Sequence, residues 1–266
     1  MERVLDSALQ AYSLKGKHIA VVGASSGIGA GVSVLASELG ATITLMARRR
    51  AQLDEVRARC DKPDRHHVAT MDAADPVSVE NAFREAREIR GSFSGMVYAA
   101  GIAPLRPIQV LASGHLDEVL AVNLKGAMLA VRALTTKGGL AQDGSILFIS
   151  SAQAHVAGGA GTAAYAASKA GLEAAQRIFA LELAPRKIRV NALAVGPVRT
   201  AIWNSDDQEL SRKVLANSTA RTLLGLGEVE NVAHAAAFLL SPASRWITGA
   251  TLAVDGGLLS HNRIGP

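Results

Sequence analysis

The stretch KHIAVVGASSGIG, residues 17–29, decides the fold of this chain. An apolar run ends in a turn that carries Gly23, Gly27 and Gly29, and small residues with helical spacing follow. Without a Cβ atom, Gly23 can make the sharp turn, and Gly29 lets a helix pack closely on the strand. The free N–H groups and the positive dipole end of a helix at this point attract phosphate. The stretch therefore predicts a strand, a turn and a helix that together hold a phosphate-bearing ligand, with a plain tight turn as the alternative.

Further apolar, β-branched runs follow with the same alternation of strand and helix. The predicted strands are 17–22, 42–47, 66–71, 95–100, 145–150, 188–195 and 250–254. Ala-rich helical segments lie between most of them, and two stand out at about 113–136 and 163–184. Parallel strands need crossover helices, which are right-handed in nearly every case. The predicted fold is α/β: one domain, residues 13–258, with a doubly wound parallel seven-stranded sheet, helices on both faces, and tails at 1–12 and 259–266.

Composition limits the remaining possibilities. The chain has 266 residues, 49% of them hydrophobic, which is enough for one buried core. No run approaches the roughly 20 apolar residues of a membrane span, and the lone Cys60 fits a reducing compartment. We therefore expect a cytoplasmic protein without membrane contact. The net charge is +5, but only 4% of residues are aromatic and no nucleic-acid motif occurs. Neither a nucleic-acid partner nor a metal site is expected.

The end of the second predicted strand indicates which phosphate-bearing ligand binds. An acidic residue there would accept hydrogen bonds from the adenosine ribose of NAD. This place holds Ala47, and Arg48 and Arg49 follow it. A guanidinium fork matches a 2′-phosphate in geometry and charge, so we predict NADP(H) in preference to NAD(H). The alternative, that the arginines only begin a solvated helix, applies best to Arg50.

The third and fourth predicted strands end in further candidate cofactor contacts. Asp72 is placed to touch the adenine, although a turn or N-cap aspartate is the alternative. The small residues after Tyr98 leave room for a ribose. The cofactor-binding residues predicted up to this point are Gly23, Ser25, Ser26, Gly27, Ile28, Gly29, Arg48, Arg49, Asp72, Ala73, Ala99, Ala100 and Gly101.

Candidate catalytic residues lie on the predicted helix 163–184. Tyr165 and Lys169 are four residues apart, so they share one helix face. An ammonium beside a phenol favours the phenolate and is expected to lower the phenol pKa toward neutrality, as a general acid and base requires. Taken alone, such a pair is equally typical of a solvated helix face.

Two more motifs accompany this pair. A predicted strand ends in Ser150-Ser151, fourteen residues before Tyr165, and Asn123 lies within VNLKG on the preceding helix. With the glycine turn, whose Gly-x-x-x-Gly-x-Gly spacing differs from the commoner dinucleotide motif, the sequence resembles the compact branch of the short-chain dehydrogenases/reductases from about residue 14 to 258. Within that family, it is most similar overall to 3-oxoacyl-carrier-protein reductases and related ketoreductases.

The resemblance implies a catalytic tetrad of Asn123, Ser151, Tyr165 and Lys169. In that reading Tyr165 gives a proton to the substrate carbonyl oxygen, and Ser151 holds that oxygen. Lys169 stabilises the phenolate and grips the nicotinamide ribose, and Asn123 holds a water that resupplies protons. Tyr165 and Lys169 thus contact the cofactor as well.

The resemblance also implies how the nicotinamide is held. The segment after the sixth strand, through Gly196, Val198 and Thr200, would hold the carboxamide. Val195 stands where the family usually has proline, so the strand end is expected to be less rigid.

The substrate is expected to lie between two loops. The first joins Ser151 to Tyr165 and contains His155, which is either a substrate contact or simply exposed. The second is a mobile lid at about 199–225 that includes Trp203 and the polar run 204–209.

The expected activity is reduction of a small-molecule or acyl-thioester ketone. An acidic carrier protein would meet Arg186 and Lys187, although a helix end that favours cations explains them equally well. Two alternatives remain: a dehydrogenase that oxidises a sugar, steroid or other secondary alcohol, and a non-catalytic nucleotide-binding regulator. The two Ala-rich helices fit either packing on the sheet or the interface of a homo-oligomer, a tetramer or a dimer.

Overall fold

The computed structural model describes residues 9–200 and 208–260. Seven parallel strands form one sheet in the order β3-β2-β1-β4-β5-β6-β7. They are β1 His18–Val22, β2 Thr42–Ala47, β3 His67–Thr70, β4 Phe93–Tyr98, β5 Leu140–Ile149, β6 Arg189–Val195 and β7 Thr251–Val254. The doubly wound α/β fold predicted from the alternating runs is therefore confirmed. β4 and β5 both begin before their predicted starts. The pairing between these two strands changes register between Phe93 and Gly95 of β4.

Helices cover both faces of this sheet. After residue 12, the described helices are α1 Gly27–Glu38, α2 Arg50–Arg59, α3 Pro76–Arg90, α4 Ser113–Leu120, α5 Gly126–Thr135, α6 Ala163–Leu183, α7 Gln208–Ala220 and α8 Val229–Leu240. The start of α3 follows from its sequence. Asp75 accepts a hydrogen bond from the backbone N–H of Val77, and Pro76, which has no N–H, lies in the first turn, where N–H groups have no partner within the helix. No helix of the described residues is long and apolar enough to cross a membrane.

Two apolar layers bury the sheet from either side. One layer packs α3, α5 and α6 against the sheet, and the other packs α1, α2 and α8. Every residue of β1 is buried, as expected for a parallel strand covered on both faces. At Gly31 of α1 a Cβ atom would lie 2.2 Å from Cγ1 of Val229, so α1 and α8 approach closely. The strand ends thus project from a sheet that is packed on both faces.

The predicted helix 113–136 is two helices joined by a π-helical turn, Ala121–Lys125. The turn places Asn123 inside the protein, where its side chain bonds the backbone of Ile102. The hydroxyl of Tyr98 donates to the carbonyl oxygen of Val122. π-turns of this kind are rare and often occur at functional sites. Apolar periodicity gives no sign of one, because the helix axis continues across it.

The strand order reverses direction between β1 and β4, where the chain moves from one half of the sheet to the other. In open α/β sheets the crevice beyond the carboxyl ends at this switch point is the usual ligand site. The glycine turn follows β1, and Ala99 to Gly101 follow β4, so both border this crevice. The first described residues, 9–12, are helical, and the Tyr12 ring lies 6.3 Å from that of Phe238.

Candidate active site

One cavity of about 390 Å³ lies along the carboxyl ends of the central strands, within the usual size range of small-molecule sites. All predicted cofactor-binding residues line it: Gly23, Ser25, Ser26, Gly27, Ile28, Gly29, Arg48, Arg49, Asp72, Ala73, Ala99, Ala100, Gly101, Tyr165, Lys169, Gly196, Val198 and Thr200. Ser151 lines it too, whereas Asn123 lies behind the wall and is fully buried. The tertiary structure therefore brings the separate motifs into one site.

The glycine turn is as tight as its sequence predicts. Gly23 has φ +85°, and a Cβ atom there would lie 2.5 Å from the backbone nitrogen of Ala100. A Cβ atom at Gly29 would lie 2.2 Å from the carbonyl oxygen of Gly23. The N-cap of α1, Ser26, makes no side-chain capping bond, so the first N–H groups of the helix are left for a ligand. These features fit the pyrophosphate of a dinucleotide.

Two cationic side chains extend the cavity beyond this turn. Nη2 of Arg49 donates to Oγ of Ser25 at 3.1 Å and to Oγ of Ser26 at 3.2 Å. Arg48 also lines the cavity. Asp72 lines it while its Oδ1 accepts from the backbone of Ala74 at 2.9 Å, so it is a turn aspartate and a cavity residue at once.

Tyr165 and Lys169 lie on the cavity side of α6. Nζ of Lys169 is 5.7 Å from the centroid of the Tyr165 ring and donates to the carbonyl oxygen of Ile149 at 2.7 Å. Burial lowers the Lys169 pKa to about 8, and the nearby carboxylate of Glu173 opposes this shift. The ammonium therefore lies deep in the site and loses its proton as pH rises through about 8.

The phenol of Tyr165 departs from the expectation made for it. Burial raises its pKa, and hydrogen bonding with Ser151 offsets only part of that rise. The expected drop toward neutrality is thus wrong, because burial disfavours the charged phenolate more than the hydrogen bond with Ser151 favours it. Tyr165 is a protonated phenol at neutral pH.

Asn123 connects the π-turn to the strand-end loops. Its Oδ1 accepts from the backbone of Ile102 at 2.9 Å, and its Nδ2 donates back to Ile102 at 2.9 Å and to Oγ of Ser168 at 3.0 Å. A Cβ atom at Gly101 would lie 3.4 Å from Nζ of Lys169 and 3.5 Å from Oδ1 of Asn123. Gly101 therefore lets the amide and the ammonium approach the same strand end.

Comparison with known proteins now identifies the family. The family model described as enoyl-(acyl carrier protein) reductase matches residues 23–259. The 3-oxoacyl-[acyl-carrier-protein] reductase of Bos taurus is 35% identical over 246 residues, which are 91% of this chain and 98% of that protein. This chain belongs to the short-chain dehydrogenases/reductases.

Solved structures of related proteins agree with the fold. A dehydrogenase/reductase from Sinorhizobium meliloti 1021 has a TM-score of 0.86 at 30% identity, covering 95% of this chain and 99% of that one. A gluconate 5-dehydrogenase from Burkholderia cenocepacia J2315, in complex with NADP and tartrate, has a TM-score of 0.84 at 28% identity, covering 96% and 99%. This chain is thus an oxidoreductase of the family that acts on alcohols or ketones.

In this short-chain dehydrogenase/reductase, Glu173 is a buried carboxylate that sequence reasoning missed. Its Oε1 accepts from Oγ of Ser150 at 2.6 Å, and its Oε2 lies 2.9 Å from Nε2 of His155. His155 therefore contacts Glu173 and is not among the residues that line the cavity. A signal was present, because Tyr165, Lys169 and Glu173 follow each other at intervals of four and so share one helix face.

Two other expectations for the dehydrogenase/reductase change with the structure. Arg186 is half-buried and donates to the carbonyl oxygens of Thr135, at the end of α5, and Leu140, at the start of β5. It therefore stabilises the connection between these two elements instead of presenting a free cation. Val195 pairs with Val254 in the sheet, and Gly196 donates to Val254 at 3.0 Å, so the strand end is held without the usual proline.

The end of the cavity where the substrate is expected, here called the substrate end, lies between the loop after Ser151 and the chain around α7. Its described lining residues are Leu105, Gln153, Val156, Ala157, Gly158, Thr162, Ser211, Ser218, Arg221 and Leu258. The part of the expected lid that the structure describes is largely helical, namely α7. Trp203 and the rest of 201–207 lie outside the described residues.

Proposed function

We propose that this short-chain dehydrogenase/reductase reduces a ketone to a secondary alcohol with NADPH. The observation that carries the proposal is a single cavity that joins a glycine turn and two arginines at one end to Ser151, Tyr165 and Lys169 at the other. A phosphate-binding turn alone would fit many nucleotide-binding proteins. The phenol and the ammonium in the same cavity add the chemistry of proton transfer.

The protein residues hold the reacting groups and move the proton. When bound, the reduced nicotinamide supplies the hydride. Tyr165 donates its phenolic proton to the substrate carbonyl oxygen, and Ser151 holds that oxygen by a hydrogen bond. Lys169 binds the ribose hydroxyls and stabilises the phenolate that remains after proton transfer. Asn123 holds the π-turn and the loop at Ile102 together. This keeps in place the path by which protons are resupplied to Lys169.

The protonated state of Tyr165 supports the reductive direction. Burial raises the phenol pKa above its ordinary value, so at neutral pH Tyr165 carries the proton that ketone reduction requires. The oxidation of an alcohol would need the phenolate first. Oxidation of a sugar or another secondary alcohol is the second candidate, and it is supported by the similarity to a gluconate 5-dehydrogenase.

The preference for NADP(H) is supported by the end of β2. Ala47 brings no carboxylate that would repel a 2′-phosphate, and Arg48 and Arg49 line the cavity beside it. The bonds from Arg49 to Ser25 and Ser26 hold the guanidinium over the glycine turn. An NADP-bound neighbour of the same fold is consistent with this assignment.

Among ketones we propose 3-oxoacyl thioesters or related compounds, by analogy with the reductase from Bos taurus. We also propose a homo-oligomer, a tetramer or a dimer. Apolar side chains that remain exposed on the Ala-rich helices support it: Met128 on α5, and Ile178 and Leu181 on α6.

The test is a panel of 3-oxoacyl thioesters, cyclic ketones and sugars, followed by NADPH and NADH absorbance in both directions. We expect faster oxidation of NADPH than of NADH with at least one ketone. Tyr165→Phe should abolish turnover while cofactor binding persists, which excludes a non-catalytic regulator. Turnover that survives this substitution, or activity only with alcohols and NAD, would overturn the proposal.

A further inference from the structure

The charges in the cavity are unevenly distributed. Near the glycine turn, Arg48, Arg49 and Asp72 line it, and Lys169 lies in its centre. Of the described residues at the substrate end, Arg221 alone carries a charge. Its neighbours there include the apolar side chains of Leu105, Val156, Ala157 and Leu258, together with several neutral polar residues.

Arg221 is held in place by the chain around it. Its backbone nitrogen bonds the carbonyl oxygen of Ser218 at the end of α7, at 3.2 Å. Two residues later the chain is fixed to the turn after β7, because the nitrogens of Leu223 and Leu224 donate to the carbonyl oxygen of Gly256 at 2.7 and 3.0 Å. The base of the side chain is therefore anchored to the sheet.

The guanidinium spans the two walls of the substrate end. Nη1 of Arg221 donates to the carbonyl oxygen of Ala157 at 2.7 Å. Ala157 belongs to the loop that begins at Ser151, so the cation is tied to the same loop as the residue proposed to hold the substrate oxygen. This bond uses one of the five N–H donors of the guanidinium.

The remaining donors are free to meet a ligand. Among residues 9–200 and 208–260, no carboxylate pairs with Arg221, and neither its Nε nor its Nη2 has an acceptor. The side chain is half-buried and lines the cavity together with apolar side chains. A planar cation with unused parallel donors in such a place matches an oxyanion, which can accept two of them at once.

We propose that Arg221 binds an oxyanion, a carboxylate or a phosphate ester, on the carbonyl substrate itself. The inference rests on the proposed function and narrows its substrate class from ketones in general to anionic ones. A phosphate would indicate a phosphorylated ketone, and a carboxylate would indicate a free oxo acid.

The first experiment compares ketones that carry an anionic group with uncharged counterparts. The pairs are acetoacetate with acetoacetamide, 4-acetylbenzoate with 4-acetylbenzamide, and dihydroxyacetone phosphate with dihydroxyacetone. For the wild-type protein we expect kcat/KM to favour the anion of at least one pair by about 10- to 100-fold, as for a charge-assisted hydrogen bond. The carboxylate and phosphate pairs separate the two sources of the oxyanion.

Substitutions at Arg221 show whether it causes this preference. Arg221→Gln keeps an N–H donor toward Ala157 but removes the charge, so the ratio within the preferred pair should fall to near unity. Arg221→Lys keeps the charge but lacks the planar guanidinium, so it should retain part of the preference for the anion. Lys213→Met removes a cation of α7 that pairs with Glu209 outside the cavity, and it should leave the ratio unchanged. Melting temperatures of all variants control for folding.

Binding measurements keep the inference testable if no ketone is turned over, an outcome that would count against the proposed function alone. The NADPH-bound protein is titrated calorimetrically with acetoacetate, 4-acetylbenzoate and dihydroxyacetone phosphate. Binding that is lost in Arg221→Gln supports the inference. It is overturned if no anion binds, if Arg221→Gln binds the anions as the wild type does, or if Arg221→Gln instead loses affinity for NADPH, since Arg221 would then serve the cofactor.

Discussion

The carboxylate of Glu173 lies 2.9 Å from Nε2 of His155, one helical turn beyond Lys169 on α6. It also accepts a hydrogen bond from Ser150, the residue before Ser151. A nearly inaccessible side chain thus connects the substrate loop, the end of β5 and the helix of Tyr165. Its negative charge is the feature that keeps the pKa of Lys169 from falling further.

Glu173 is predicted to act as a positioning group for Lys169. Glu173→Gln keeps the shape but removes the charge, so the Lys169 pKa should fall below about 8. The alkaline limb of the pH profile of kcat/KM is expected to move to lower pH, with a loss of about tenfold at pH 8. Glu182→Gln, at an exposed position of the same helix, should not move it. A uniform loss of activity with an unmoved limb would indicate that Glu173 is merely structural.

Lys169 itself should set that limb in the wild-type protein. Its pKa of about 8 means that the ammonium is present below this pH and is lost above it. kcat/KM for ketone reduction should therefore fall as pH rises through about 8, because the profile reports groups of the free enzyme. Lys169→Arg stays charged, so the alkaline limb of its pH profile should disappear. Its overall rate should be lower than that of the wild type. An unchanged limb in Lys169→Arg would assign it to another group.

Cofactor choice should depend on Arg49. Arg49→Met removes the guanidinium that lies over Ser25 and Ser26, and kcat/KM for NADPH is expected to drop about 10- to 100-fold. NADH lacks the 2′-phosphate, so its kcat/KM should change little. Arg50→Met is the matched control, because Arg50 pairs with Asp54 on the exposed face of α2. Equal losses with both cofactors would contradict recognition of the 2′-phosphate by Arg49.

The stability of the fold should fall in mild acid because of His18. Nε2 of this buried residue lies 2.8 Å from Oγ1 of Thr44, and its ring stacks on Phe93. Burial lowers its pKa from 6.5 to about 4, so between these values the unfolded chain binds a proton that the folded chain does not. The free energy of unfolding should therefore decrease as pH falls from 6.5 to 4, by up to about 3 kcal/mol from this residue.

Urea unfolding of the wild type and of His18→Gln at pH 7 and pH 4.5 measures this contribution. The variant is expected to be less stable than the wild type at pH 7, but its free energy of unfolding should decrease less on acidification. His234→Gln, which changes an exposed histidine of α8, should follow the wild type. An identical pH dependence in wild type and His18→Gln would show that other groups cause the acid sensitivity.

Local motifs were sufficient to predict the parallel sheet and most of the residues that line the cavity at its strand ends. Strand and helix have periods that can be recognised in the sequence, and the glycine turn, the arginines after β2 and the Tyr165–Lys169 pair each depend on neighbours within a few residues. The carboxyl ends of parallel strands meet at one edge, so residues that follow different strands are predicted to share one cavity.

Desolvation and contacts between distant segments could not be predicted in this way. The raised pKa of Tyr165 depends on how much water the folded protein excludes, and the π-turn at Asn123 depends on its bonds to Ile102. Arg186 sits among backbone carbonyls, and Arg221 meets Ala157 across 64 positions of sequence.

The sequence alone determined the order of strands and helices and the residue types at each strand end, because these follow from short-range periodicity and stereochemistry. Only the tertiary structure decided which side chains lose water and which distant groups pair, because burial and long-range hydrogen bonds depend on the packing of the whole chain.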